Sequence, residues 1–302
     1  MDSFFHLSPE VRLAFTTNKP VVALESTIIT HGMPYPENIQ TAREVEDIVR
    51  QKGAVPATVC IMEGKIKVGL SQKELEVLAS SDQVEKVSRR DISRVVASGG
   101  MGATTVAATM IVAARVGIKV FVTGGIGGVH RGVEDTMDIS ADLEELANSS
   151  VAVVCAGVKS ILDIPKTLEV LETKGVPVAT YGSWDFPGFY CTKTGCASPS
   201  RVDDLASYAK ELKVKWELGI EGGALLALPI GKSMAIDGKK IELIIQGALE
   251  QAQEQKVSGK DVTPFLLSKV AEVTEGASLQ ANIALIKANA ALGAELSRYF
   301  VH

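Results

Sequence analysis

Lys159 stands directly after an apolar run, in the segment CAGVKSIL, and meets no acidic neighbour along the chain before Asp163. An apolar pocket disfavours the charged form of an amine, and the uncharged amine is a nucleophile for carbonyl-like carbons. Most lysines that follow a strand are simply exposed, so the pattern alone favours a surface side chain. A covalent catalytic lysine is still the most distinctive chemistry that a single residue of this sequence suggests.

Three carboxylates stand at the ends of expected elements. Glu25 closes an apolar strand just before Ser26 and Thr27, where loss of solvent would favour the protonated form of a general acid. A carboxylate that caps the following turn explains the same position equally well. Asp138, in MDISADL with Asp142, lies at a loop-to-helix boundary. Helix capping is its simplest role, although Mg²⁺ or Mn²⁺ often binds through one or two carboxylates and water.

Basic side chains gather in the segment KVSRRD, which carries Lys86, Arg89 and Arg90, and Arg131 adds another charge further along the chain. Arginine offers forked hydrogen bonds to an oxyanion and lysine offers a point charge, so that these residues with Ser88 could cradle a phosphate. A solvated surface turn is the more common identity of such a cluster.

A glycine-rich segment, TGGIGGVHRG, follows an apolar run, at a place where α/β enzymes bring their backbone close to a ligand. It matches neither a P-loop nor a dinucleotide fingerprint, because the required lysine or helix opening does not follow. Ligand contact and tight-turn geometry both explain these glycines. His130 in the same segment is suited either to a substrate hydrogen bond or to a structural one.

Strand-like and helix-like segments alternate through most of the chain and would position these side chains. Apolar runs such as VVAL at 21–24 and VAVVCAG at 151–157 are followed by loops and then by helical patterns. This order predicts the α/β class, with a mainly parallel sheet covered on both faces. We expect one domain over 1–302, with an N-terminal helix and arm at about 1–18 and an irregular surface excursion at 182–200.

Composition excludes several functional classes. The net charge is −5, from 31 basic and 36 acidic residues, which argues against a nucleic-acid-binding protein. The longest apolar stretch is too short to cross a bilayer and no signal peptide precedes it, so we expect no membrane association and a cytoplasmic location, with an organelle left open. The four cysteines are expected to be free thiols.

Eight segments between about residues 20 and 290 carry a family resemblance in the expected order. They are VVALESTIITHGMPYP, KVSRRD, GATTVAATM, GIKVFVTGGIGGVHRG, MDISADL, VCAGVKSILD, TPFLL and SLQANIAL. Several of them are long and unusual. Together they resemble the pseudouridine-5'-phosphate glycosidase family, also called the indigoidine synthase A-like family.

The resemblance implies roles for individual positions. Glu25 matches the proton donor, Lys159 the covalent nucleophile and Asp138 the metal-binding carboxylate, which is usually associated with Mn²⁺ or another divalent cation. Substrate contacts are implied for Lys86, Val106, Ser140, Ala141, Asp142 and Asn282, and Arg89, Arg90 and His130 join them as candidates. The family also implies a three-layer α/β/α fold, with a largely parallel or mixed central sheet, and a homotrimer.

The implied reaction is the reversible cleavage of the carbon–carbon glycosidic bond of pseudouridine 5'-phosphate, a small-molecule substrate, to uracil and ribose 5-phosphate. Such an enzyme is a glycosidase of the lyase type, in which a Lys159 iminium of ring-opened ribose is the covalent intermediate. The alternatives are a Schiff-base sugar-phosphate lyase, an N-nucleosidase and a nucleotide-binding module without turnover.

Overall fold

The computed structural model of the protein describes residues 3–257, 259 and 262–301. Positions 1 and 2 of the expected N-terminal arm, and His302, lie outside the described residues. The strands are β1 (Phe5–Leu7), β2 (Val21–Leu24), β3 (Val55–Met62), β4 (Lys65–Val68), β5 (Glu85–Val87), β6 (Gly102–Thr104), β7 (Val120–Val122), β8 (Ala152–Cys155), β9 (Val178–Tyr181), β10 (Arg201–Val202) and β11 (Ala224–Ala227).

Helices separate most of these strands along the chain. They are α1 (Pro9–Thr16), α2 (Thr27–Thr30), α3 (Glu37–Gln51), α4 (Gln72–Ser80), α5 (Ile92–Ser98), α6 (Val106–Val116), α7 (Val133–Thr136), α8 (Ala141–Asn148), α9 (Ile164–Thr173), α10 (Leu205–Glu217), α11 (Gly238–Glu254), α12 (Val262–Val273) and α13 (Ala277–Ser297). No helix in the described ranges is long and apolar enough to span a membrane.

The strands form one sheet in the order β1-β4-β3-β2-β7-β8-β11-β9-β10, with β6 paired to β3 and β5. Every neighbouring pair in the part of the sheet ordered β3-β2-β7-β8-β11-β9-β10 is parallel. Strand β3 pairs antiparallel with β4 and β6. Strands β2, β7, β8 and β11 are buried throughout, as apolar strands covered on both faces should be. The predicted α/β class with a largely parallel or mixed sheet is confirmed.

Local signals in the sequence account for several helix ends. Helix α4 begins with a capping box, in which the Ser71 backbone N–H donates to Glu74 Oε2 over 2.8 Å and the Glu74 N–H donates to Ser71 Oγ over 3.2 Å. Thr105 caps α6, which ends at Gly117 in the left-handed region with φ 87°. These capping residues therefore account for the start of α4 and for both ends of α6.

The stretch at 182–200 departs from the expected surface excursion. It contains none of the strands or helices above, yet Phe186, Phe189 and Tyr190 are buried within it. The rings of Phe189 and Tyr190 meet edge to face with centroids 4.7 Å apart. Burial of these aromatic rings stabilises the segment against the rest of the protein, which an alternation of strand and helix signals cannot predict.

Helix α13 approaches β7 unusually closely. A Cβ atom placed on Gly293 would lie only 2.2 Å from Val122 Cγ2, so only glycine allows this contact. The helix also packs against β2, β8 and α3, and its own residues are largely buried. The side chains of α13 are thereby brought to the carboxyl end of β7.

Candidate active site

A cavity of about 450 Å³ opens where β2, β7 and β8 end. Parallel strands direct the residues that follow them to one edge of the sheet, which is where α/β proteins bind ligands. The residues to which the family resemblance assigns a role, and the further candidates Arg89, Arg90 and His130, all line this cavity: Glu25, Lys86, Arg89, Arg90, Val106, His130, Asp138, Ser140, Ala141, Asp142, Lys159 and Asn282. Their roles in a reaction stay predictions.

Glu25 follows β2 directly and is only 6% exposed. Its Oε2 accepts a hydrogen bond from the Thr27 hydroxyl, and its Oε1 accepts one from the Thr123 hydroxyl. Two donors on different oxygens determine the plane of the carboxyl group. The side chain is therefore held in one orientation at the cavity wall, as a general acid requires.

Lys159 lies four residues beyond β8 and is half-buried in the cavity wall. Its backbone N–H donates to Ile126 O over 3.1 Å, and its carbonyl accepts from the Leu162 N–H over 2.9 Å. Among the carboxylates that the structure describes, none lies within ion-pair distance of its amine. The backbone at Lys159 is thus ordered by the loop after β7, while its amine is not engaged by a described acid.

His130 and Asp138 form a loose pair on one side of the cavity. Nδ1 of His130 lies 3.8 Å from Oδ2 of Asp138, and the His130 backbone N–H donates to the Asp138 carbonyl over 3.0 Å. Burial lowers the pKa of His130, Asp138 opposes this, and the charges of Lys86 and Lys159 lower it further. These four side chains therefore share one electrostatic environment.

Asp142 connects three segments of the site. Its carboxylate is buried and accepts hydrogen bonds from the backbone N–H groups of Ala107, over 2.9 Å, and Gly127, over 2.7 Å. The backbone N–H of Asp142 donates to Ser140 Oγ over 3.2 Å, so that Ser140 caps the start of α8. Asp142 therefore holds the glycine-rich loop and the first turn of α6, which carries Val106, against α8.

The basic residues of the KVSRRD segment differ in their contacts. Arg89 donates through Nε to Glu145, a carboxylate of α8 that is 1% exposed. Arg90 is 82% exposed at the cavity rim and lies 4.0 Å from Asp91. Lys86 is half-buried in the cavity wall. Arg90 is thus more open to a bound anion than Arg89, whose Nε already donates to Glu145.

Arg131, which the sequence grouped with these basic side chains, does not line the cavity. Its guanidinium donates to both carboxylate oxygens of Glu242 in α11, over 2.5 and 2.9 Å, and to the Ser160 carbonyl over 3.3 Å. The suggestion that Arg131 adds to a phosphate site is therefore wrong, because a forked ion pair already uses its donors.

Asn282 projects from α13 toward the glycine-rich loop. The residue is buried, and its Oδ1 has no hydrogen-bond partner among the described residues. A Cβ atom placed on Gly124 would come within 3.2 Å of this oxygen. Buried polar atoms are nearly always paired in folded proteins, so an unpaired one in a cavity wall suits a ligand contact.

Several cavity residues were missed from the sequence. Thr27 and Thr123 contact Glu25, and Phe189 with Pro264 forms part of the apolar wall. Thr123 follows an apolar strand, in VTGG, and this strand-end position is the one signal that could have identified it. Phe189 lies in the irregular stretch and had no periodic signal.

The described residues contain no group of three histidine, cysteine, aspartate or glutamate side chains that could hold a metal. Asp138 is 39% exposed beside the cavity, and Nδ1 of His130 lies 3.8 Å from its Oδ2. Such a donor set fits a hydrated divalent ion held by one carboxylate, and it does not fit an enclosed site built from protein ligands.

Comparison with known proteins matches residues 10–299 to the family described as indigoidine synthase A like protein. The chain is similar to the pseudouridine-5'-phosphate glycosidase of Lysinibacillus sphaericus, with 56% identity over 300 residues and 99% of each chain covered. It is also 56% identical to the pseudouridine-5'-phosphate glycosidase of Caldanaerobacter subterraneus, over 98% of this chain and 97% of that one.

A solved structure with the same fold is the prealnumycin C-glycosynthase AlnA in complex with ribulose 5-phosphate. It is 39% identical, with a TM-score of 0.91 and coverage of 99% of this chain and 97% of that one. An indigoidine synthase A-like protein of Thermotoga maritima is 37% identical, with a TM-score of 0.90 and coverage of 98% and 96%.

Proposed function

The chain belongs to the indigoidine synthase A-like family, and we propose that it is a pseudouridine-5'-phosphate glycosidase. The family resemblance that was drawn from the sequence is confirmed. The observation that carries the proposal is the common cavity, which gathers Glu25, Asp138 and Lys159 in a chain more than half identical to glycosidases of that name. The substrate is a small sugar phosphate joined to a base by a carbon–carbon bond.

This bond explains why a lysine is needed. Pseudouridine joins ribose C1' to uracil C5, and a carbanion at C5 is a far poorer leaving group than the nitrogen of an ordinary nucleoside. A pair of carboxylates of the kind that hydrolyses O-glycosides would not suffice. Covalent catalysis divides the difficult cleavage into easier steps.

The proposed sequence of steps begins with acid-assisted opening of the ribose ring, in which electrons from uracil help to expel O4'. The uncharged amine of Lys159 then adds at C1'. Glu25 delivers a proton to uracil C5, and the nitrogen lone pair of Lys159 expels uracil and leaves an iminium. Water hydrolyses the iminium to ribose 5-phosphate and restores the lysine. Each step is reversible, so the same site can form the bond.

The remaining cavity residues are proposed to bind and orient the substrate. Lys86 and Arg90 would hold the phosphate, and Asn282 would hydrogen-bond the sugar or base through its unpaired Oδ1. Val106, Ser140 and Ala141 would contact the substrate at the starts of α6 and α8, with Asp142 holding these starts in place. His130 and Arg89 would line the same pocket.

Asp138 is proposed to hold Mn²⁺ or another divalent cation, with His130 beside it and water completing the coordination. When bound, such an ion would supply positive charge that polarises nearby oxygens of the base and orders water. A homotrimer, a cytoplasmic location and a single folded domain over the whole chain are further proposals, which rest on the family resemblance and on the sequence.

The test is to incubate the protein with pseudouridine 5'-phosphate and Mn²⁺ and to measure released uracil by chromatography. Borohydride added during turnover should attach a pentose-phosphate mass to Lys159, located by peptide mass spectrometry. Lys159→Ala should lose both signals, whereas the surface control Lys166→Ala, whose amine pairs with Glu134 and Asp163, should keep them.

Other outcomes would identify a different enzyme. Normal turnover by Lys159→Ala would eliminate the covalent scheme. Release of uracil from uridine 5'-phosphate would indicate an N-nucleosidase, and a borohydride adduct with simple sugar phosphates but no uracil release would indicate a Schiff-base lyase.

A further inference from the structure

The end of β7 is held by a side chain that lies outside the cavity. Asn289 of α13 is fully buried, and its Nδ2 donates to the carbonyl of Thr123 over 2.9 Å and to that of Gly124 over 3.3 Å. These two carbonyls belong to the residues that leave the sheet at the cavity. The Asn289 amide therefore acts together with two backbone bonds, from the Ala156 N–H to the Gly124 carbonyl over 2.9 Å and from the Thr123 N–H to the Val154 carbonyl over 3.1 Å, to hold the backbone after the strand.

The position of Thr123 in turn determines how the carboxyl group of Glu25 is oriented. Its side chain is buried, and its hydroxyl donates to Glu25 Oε1, while Thr27 occupies Oε2. A carboxyl group has about four lone-pair positions, so two threonine hydroxyls leave positions for a transferable proton. The two hydroxyls decide in which plane that proton lies.

The close contact at Gly293 fixes the position of α13, and therefore of Asn289, against β7. Gly293 lies one helical turn beyond Asn289 and packs on Val122, the residue before Thr123. Helix α13 cannot slide along β7 without losing this contact, because the backbone of the helix meets the valine side chain directly. The amide of Asn289 is therefore aimed at the strand end by rigid packing.

We propose that Asn289 and Thr123 are positioning residues, which hold the Glu25 carboxyl group in the orientation that protonates the substrate. Neither role was expected from the sequence, and Asn289 does not line the cavity. The inference rests on the proposed function, since it concerns the proton donor of that reaction. A carboxyl group that rotates freely would spend most of its time with its proton directed away from the uracil carbon.

The test compares Thr123→Val, which keeps the shape and removes the hydroxyl, with Thr123→Ser, which keeps the hydroxyl. Thr123→Val should lower kcat about tenfold with little change in KM, because general acid catalysis as a whole contributes 10²–10⁴-fold. Thr123→Ser should restore most of kcat. The matched control is Thr180→Val in β9, which loses a buried hydroxyl contact of 2.8 Å to Ser198 and should keep kcat.

A double-mutant cycle separates positioning from simple loss of stability. In a Glu25→Gln background, Thr123→Val should change kcat less than twofold, because the group on which it acts is already lost. Asn289→Asp, which replaces the amide donor by an acceptor, should reproduce the kcat defect of Thr123→Val. If Asn289→Asp does not fold, the comparison of Thr123→Val with Thr123→Ser still tests whether the Glu25 carboxyl group is positioned in this way.

The proposal would be overturned by a Thr123→Val enzyme with normal kcat, or by equal losses in the wild-type and Glu25→Gln backgrounds. Both results presuppose that the wild-type protein releases uracil. A wild-type protein that releases none would instead contradict the proposed function, so the two failures are distinguishable.

Discussion

The carboxylate of Asp142 accepts a 2.7 Å hydrogen bond from the backbone N–H of Gly127, and so joins the first turn of α8 to the glycine-rich loop. The same carboxylate binds the first turn of α6 through Ala107. Three segments that line the cavity thus depend on one buried side chain. Its two acceptor oxygens face two N–H groups, an arrangement that no amide can reproduce.

Asp142→Asn is therefore expected to damage both stability and activity. The substituted amide keeps one acceptor and turns a donor toward a backbone N–H, which should cost about 2 kcal/mol in the free energy of unfolding. We expect kcat/KM to fall by about tenfold or more as the loop loosens. Denaturant unfolding and steady-state kinetics measure the two effects. Glu144→Gln on the exposed face of α8 is the control, and equal behaviour of the two variants would refute this role.

Arg89 and Arg90 should give opposite phenotypes although they are adjacent. Arg89→Met leaves the buried carboxylate of Glu145 with the Ser149 hydroxyl and without its ion-pair partner, so thermal unfolding should begin at a lower temperature. Arg90→Gln removes an exposed charge at the cavity rim, and should raise KM for the phosphorylated substrate about threefold without changing Tm. Added salt should shrink the Arg90 effect. The same loss of Tm in both variants would contradict this division.

Removal of the Asp138 carboxylate should weaken metal binding specifically. We expect Asp138→Asn to bind Mn²⁺ at least tenfold more weakly, as followed by electron paramagnetic resonance of the free ion. Chelation should lower uracil release by the wild-type protein. Asp135→Asn, an exposed neighbour that does not line the cavity, serves as the control. Undiminished Mn²⁺ affinity in Asp138→Asn would remove the proposed role.

Glu46 of α3 should make stability depend on pH. Burial raises the pKa of this carboxyl group, although Thr58 donates to it over 2.7 Å and Arg50 over 3.3 Å. A raised pKa means that the folded state holds the proton more tightly than the unfolded state. The stability that the protonated Glu46 contributes is therefore fully present below the pKa of this group in the unfolded state. It is lost as the pH rises through the pKa of Glu46 in the folded state.

Glu46→Gln should accordingly flatten the fall in unfolding free energy as the pH rises above about 4.5, the ordinary pKa of a glutamate. Urea unfolding at a series of pH values measures this slope. The exposed Glu37 in the same helix provides the control, since Glu37→Gln should keep the wild-type slope. A wild-type slope in Glu46→Gln would show that burial is not what controls the proton there.

Gly125 and Phe189 should be energetically coupled. A Cβ atom at position 125 would lie 2.6 Å from two carbons of the Phe189 ring, so Gly125→Ala must displace that ring from the cavity wall. We expect a loss of about 1–3 kcal/mol in stability and a higher KM. Phe189→Leu in the Gly125→Ala background should recover part of the stability. Gly231→Ala, where a Cβ meets nothing within 4 Å, is the control. Additive effects at positions 125 and 189 would refute the coupling.

Much of the fold follows from local patterns. The apolar runs that end at Leu24 and Cys155 form buried parallel strands, and Glu25 and Lys159 lie near the same edge of the sheet because they follow those strands. The strand–loop–helix order thus predicted the class of fold, and it accounts for the common position of these two candidate residues at one edge of the sheet. The role of each residue came from the family resemblance.

Contacts between distant segments could not be predicted in this way. The Thr123 hydroxyl reaches Glu25 across 98 positions of the chain, and Arg131 reaches Glu242 across 111. Nothing near Arg131 in the sequence shows that α11 will supply a carboxylate, so it looked like a free charge. Phe189 was missed because aromatic packing in an irregular segment leaves no period.

Helix α13 brings Asn282 to the cavity and Asn289 to the strand end, yet among the elements that line the site it is the last to be synthesised. A nascent chain therefore carries Lys159 and Glu25, the proposed nucleophile and the proposed acid, well before the helix that completes their surroundings. Residues up to about position 293 must be translated before the acid can be aligned. The order of elements along the polypeptide thus makes the alignment of the Glu25 carboxyl group depend on the translation of α13.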